Sequence, residues 1–170
     1  MRFLIIAAVS LMLFAPLATP SRAGEWDKKT SVTFDQPLEV PGRVLTPGTY
    51  VFKLLDSQSD RHTVEVYNKD QSKLITTLIT VPDERLRPSG KTIMTFEERP
   101  ARSPEALRAW FYPGDTVGQE FVYPESRARQ IAKASGQHVL SMRDQSGNKT
   151  EIRAIQPSGE DVSLKDVHSH

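Results

Sequence analysis

The chain has 170 residues, 25% of them charged, with 22 Lys+Arg against 21 Asp+Glu and a formal net charge of +1. Acids and bases are interspersed, which excludes the basic footprint of a nucleic-acid binder. There is no Cys, which excludes disulfides, thiol catalysis and thiolate metal sites and leaves stability to packing.

The first stretch reads as a leader. Met1-Arg2 is a short positive start, Phe3 to Leu17 is apolar, and Ser21-Arg22-Ala23 places small residues where a signal peptidase inspects them. Residues 1–23 are therefore expected to be a signal peptide, cut between Ala23 and Gly24. The apolar run is shorter than the roughly 20 residues a spanning helix needs, so no membrane span is expected after cleavage. Loss of Arg2 and Arg22 leaves 20 basic residues against 21 acids, a formal balance of −1. Export to the periplasm or the medium follows as an expectation.

Thr30–Asp35 alternates, with Val32 and Phe34 on one face, as a half-buried strand does. Pro37, Pro41-Gly42 and Pro47-Gly48 allow only short extended pieces over Leu38–Leu45. Gly48–Leu55 is a cleaner strand with Tyr50, Phe52 and Leu54 sharing a face. The turn residues Asp56–Asp60 then lead to Arg61–Asn68, with Val64 and Val66 inward. Lys73–Val81 is apolar on both faces and predicts a central strand. Pro82–Gly90 reads as a charged loop and Lys91–Glu98 as a further strand. Pro104–Pro124 predicts an aromatic hairpin, its strands facing each other across Pro113–Gly118 and carrying Trp110, Phe111, Tyr112, Phe121 and Tyr123.

One helix is expected over Pro124–Ser135, with Pro124 at the first helical position, Glu125 near the N-terminus, Lys133 near the C-terminus and Gly136 as the stop. Ala128, Ile131, Ala132 and Ser135 form its thin docking stripe. From Arg143 the chain is polar with apolar residues only singly, so residues 143–170 are read as a mobile tail in which Glu151–Ile155 is the one part expected to pair, and then transiently. The domain is thus expected over 24–142. Its fold class is all-β, a mostly antiparallel β-sandwich or small barrel with one C-terminal helix.

WDKKTSVTFDQPLEVPG, LTPGTYVFKLLDS, TFEERP and LRAWFYPGDTVGQEFVYP together resemble a family of small exported proteins of soil bacteria, chiefly acidobacteria. The likeness spans about Trp26 to Met142 and implies neither an activity nor a site residue. Leu45–Phe52, LTPGTYVF, is similar to a strand of transthyretin-like and carboxypeptidase-regulatory sandwiches, which implies fold alone.

Several residues bear on chemistry. Glu97, Glu98 and Glu120 fall near the aromatic hairpin, and paired carboxylates across an aromatic cleft are what glycoside hydrolysis uses. The competing reading is solvated charge at strand ends. Trp110 and Tyr112 share a face with Arg108 nearby; if that face is open they form a platform for a sugar ring or a protein partner, and if it is covered they are core. Asp115 in the Pro-Gly-Asp loop is a calcium-binding residue type, against which stands the lack of neighbouring oxygen ligands. His168 and His170 are the one close pair of imidazoles, against which stands the need for three or four ligands in a built metal site. His62 and His138 have no partner at informative spacing. No cofactor is expected.

The residues favour an exported, non-catalytic β-sandwich that binds a glycan or a protein in the cell envelope. Two alternatives stand beside it: a small secreted hydrolase using the carboxylates, and an envelope module that associates with itself.

Overall fold

A computed structural model describes residues 28–55, 62–100, 103–145 and 149–167. The expected leader, the turn at Asp56–Asp60 and the pair His168 and His170 lie outside these residues. The chain is all-β apart from one long helix and a final turn of helix, and its sheets pack as a sandwich.

The first layer joins β1 (Lys29–Phe34), β4 (Gly48–Leu54), β5 (Thr63–Asn68) and β6 (Leu74–Glu84), each antiparallel to the next. Phe52, Leu54, Val64, Val66 and Leu78 face the core, following the period of two written in the sequence. Fully burying a side chain of this size contributes about 1.5–3 kcal/mol.

The strand β6 then turns into the second layer. Its first half pairs with β5, and from Thr80 to Glu84 it pairs with β9 (Val117–Phe121). The expected loop from Pro82 is therefore partly strand. Proline is tolerated because Thr80 N–H points to the β5 side, where it bonds the His62 carbonyl at 2.7 Å. Position 82 has the same parity, and β5 has ended there, so no ladder bond is lost.

Beyond β9 come β8 (Glu105–Phe111), β2 (Leu38–Val40) and β3 (Arg43–Leu45), with β7 (Ile93–Glu97) on the other side of β8. The layers meet where Phe52 approaches Trp110, ring centroids 6.3 Å apart. Arg43 Nη1 donates to the Ile75 carbonyl at 2.5 Å and ties the far edge back to β6.

After β10 (Tyr123–Pro124) the helix α1 (Glu125–Ser135) crosses over to β11 (Val139–Gln145), which lies parallel to β10. Pro124 sits one place earlier than expected, as the extended N-cap at φ −57° and ψ 140°. Gly136 takes the left-handed conformation at φ 73°, and its N–H bonds the Ala132 carbonyl. Ala128, Ile131 and Ala132 are the buried stripe.

Where the chain is described, the stretch read as a mobile tail carries regular structure. Lys149–Ile155 forms β12, antiparallel to β11, followed by β13 (Asp161–Val162) and α2 (Leu164–Val167). This stretch builds no core of its own but completes two existing ones. Ile155 joins the main core, and Ala154 joins Val122 and Leu140 in a smaller cluster. An ion network fastens it: Arg129 and Arg143 both bridge Glu125 to Asp161.

Candidate functional site

The site is set by an irregularity in β8. Thr95 pairs with Ala109, yet Phe96 pairs with Leu107, so Arg108 is the extra residue of a bulge. A bulge re-aims the side chain it carries. Here it sends Arg108 among residues from three other segments. Nη1 donates to Gln137 Oε1 at 2.6 Å and lies 3.6 Å from Glu97 Oε1. Nη2 stands 3.2 Å from His138 Nε2, and Nε is 3.5 Å from Glu120 Oε1.

Glu97 and Glu120 are 1% and 4% exposed. Burial pushes the Glu97 carboxyl above its ordinary value, against the pull of Arg108, a hydrogen bond from Ser135 and the charge of Arg99. Its Oε2 has no hydrogen-bond partner among the described residues. Two of the three expected carboxylates are thus brought onto one guanidinium, and Glu98 is not, being exposed on the following residue. The arrangement differs from a glycosidase pair in that both carboxyl groups are nearly fully buried and face one guanidinium.

Of the two readings for Trp110 and Tyr112, the structure shows core. Trp110 is 2% exposed and belongs to the core beside Phe52, and Tyr112 is half-buried against it. Asp115 is held by Lys28 at 2.6 Å. The crevice that Trp110, Tyr112 and Asp115 share with Gly118 encloses only about 10 Å³, space for about one water. The Trp110 side of the hairpin is covered by the first layer, whose Phe52 meets it. Gly118 lets Phe111 lie flat there; a Cβ at that position would come within 2.4 Å of the ring.

A second ion cluster lies deeper. Glu39 accepts from Arg99 Nη2 and Arg127 Nη2, each at 2.7 Å, and Arg127 Nε also donates to it. Burial raises this carboxyl, yet the two guanidiniums outweigh burial and hold it below its ordinary value. Tyr123 donates to the Leu107 carbonyl at 2.8 Å beside it. This cluster pins α1 to β2. His62 contributes its backbone carbonyl to β6, and His138 belongs to the Arg108 group. Among the described residues no three His, Asp or Glu side chains gather as a metal site would need, and no helix is long and apolar enough to cross a membrane.

Two grooves open on the surface that the sequence did not reveal. One, of about 520 Å³, has Phe34 and Phe96 in its wall and Asp35, Gln36, Ser103 and Glu105 around it. The other, of about 390 Å³, is lined by Asp83, Arg85, Thr95, Arg108 and Gln137 with Ile93, Phe96 and Phe111. Phe96 borders both. The first groove joins Phe34 and its neighbours to Phe96 and to Ser103–Glu105, which lie far away in sequence. Comparison of the chain with family models, with curated proteins and with solved structures finds no match.

Proposed function

We propose that the protein is an exported, non-catalytic binding module of the cell envelope that takes a glycan in the groove at Phe34. The observation that carries this reading is the make-up of that groove. Sugars present apolar faces to aromatic rings and hydroxyls to carboxylates and amides. Phe34 and Phe96 supply the first kind of surface, and Asp35, Gln36 and Glu105 the second. Phe34 is held in place by Tyr50 and Phe52, ring centroids 6.3 Å away in each case. The leader at residues 1–23 supports export. Titration against a panel of neutral and acidic oligosaccharides and envelope fractions tests the reading. Phe34→Ala is expected to weaken binding at least about 10-fold, or about 1.4 kcal/mol, and Glu105→Gln less. Binding that survives both substitutions would exclude this groove.

One observation favours a second reading, a small hydrolase. Glu97, with its raised pKa, and Glu120 share one environment, and carboxyl groups of displaced acidity are typical of catalytic sites. Turnover of polysaccharide or ester substrates that disappears in both Glu97→Gln and Glu120→Gln would support it, and turnover that persists in both would sink it.

A further inference from the structure

The 390 Å³ groove holds a second guanidinium, that of Arg85, which follows directly on β6. The backbone fixes its position: Arg85 N–H bonds the Thr116 carbonyl at 2.9 Å. Its guanidinium carbon lies 5.3 Å from the centre of the Phe111 ring. A guanidinium over a ring carries its N–H groups in one plane as a fork, the shape that fits a carboxylate or phosphate edge.

Arg85 Nη1 is covered from solvent and has no hydrogen-bond acceptor among the described residues. A covered, unmade N–H bond is unfavourable, more so when the donor is charged. Arg108 differs sharply, because Gln137, His138, Glu97 and Glu120 already surround it. Asp83 is the one carboxylate in the groove wall, and Glu97 and Glu120 face Arg108 from behind. Thr95 and Gln137 add hydrogen-bonding groups, while Ile93 and Phe96 add an apolar wall.

The geometry points to an oxyanion site in which Arg85 receives a carboxylate or phosphate oxygen pair and the carbon body of the ligand lies on Ile93 and Phe96. The inference stands on Arg85 and not on the sugar-binding reading of the first groove. Because the grooves adjoin at Phe96, an acidic sugar would touch both, whereas free phosphate would engage the second alone.

Three probes decide it: glucuronate, inorganic phosphate and glucose, each titrated into isotope-labelled protein while the Arg85 Nε–H and Gln137 side-chain signals are followed. At least one anion is expected to shift both signals saturably, and glucose to leave them in place. A response to phosphate alone assigns a phosphoryl ligand, and one to glucuronate alone a carboxylate. Arg85→Gln is expected to weaken the anion at least about 10-fold, and Arg85→Lys, which keeps charge but loses the fork, to weaken it less. Phe34→Ala should leave the phosphate response unchanged, so failure of the first groove is read separately. The inference is overturned if neither anion moves these signals, if glucose moves them equally, or if Arg85→Gln binds as the parent does.

Discussion

Burial and charge act in opposite directions on two carboxylates a short distance apart in the fold. Glu97 is raised above 4.5 by desolvation, so the folded state takes up its proton more readily than the unfolded chain. Its contribution is fully present below 4.5 and is lost as pH rises through the raised value. Glu39 behaves conversely: Arg127 and Arg99 overcome burial and hold it below 4.5, so its contribution is present above that value and is lost as pH falls through the lowered one. Removing the cation from the first group should therefore be pH-dependent. Arg108→Met leaves Glu97 and Glu120 covered without their counter-charge, at a cost of about 3–5 kcal/mol near neutral pH. The loss should shrink as pH falls through the raised value of Glu97, and Glu97→Gln in the same background should reduce that dependence. Because His138 also faces Arg108, variants are compared at matched pH by urea unfolding. An equal loss above and below the raised Glu97 value would contradict the account.

Among the elements, β12 is the sharpest test of what a short, mostly polar strand can do. Ile155 is 1% exposed in the main core, so Ile155→Ala is expected to cost about 2–5 kcal/mol. Glu160→Ala, at an exposed position in the next turn, should stay within about 0.5 kcal/mol. A tail that stayed undocked would make both substitutions nearly neutral in denaturant unfolding. The apolar content of the stretch itself does not reveal its docking, because β11 supplies the pairing edge and the cores that Ile155 and Ala154 complete are built elsewhere. Strands whose partners lie next to them in sequence, such as β4 and β5, were legible from alternation, and α1 from its stripe and its glycine stop. Arg108 is a different case. Nothing in LRAWF marks the bulge, because a bulge is defined by the register of the opposing strand. Trp110 and Tyr112 do share the main core, but with Phe121 and Tyr123 rather than opposite them, and the cover comes from Phe52 of the first layer, which no local pattern encodes. The groove at Phe34 was hidden for the same reason.

The whole molecule is held as one unit by the strand that belongs to both layers. β6 gives its first half to β5 and its second to β9, so neither layer can separate without unzipping the other. Phe52 from the first layer and Trp110 from the second meet in the core, and α1 lays Ile131 against the same cluster. Such shared packing predicts one cooperative transition. Replacing Trp26 by Phe leaves Trp110 as the single tryptophan, and its fluorescence then reports the joint between the layers. In urea its midpoint is expected to coincide with that of the far-ultraviolet signal. Phe52→Ala should lower both by the same amount, corresponding to about 3–5 kcal/mol, because the cavity opens at the joint. Layers that unfolded independently would give two midpoints, with the substitution moving one and sparing the other. A single shared shift would instead assign the stability of the sandwich to the contact across its layers.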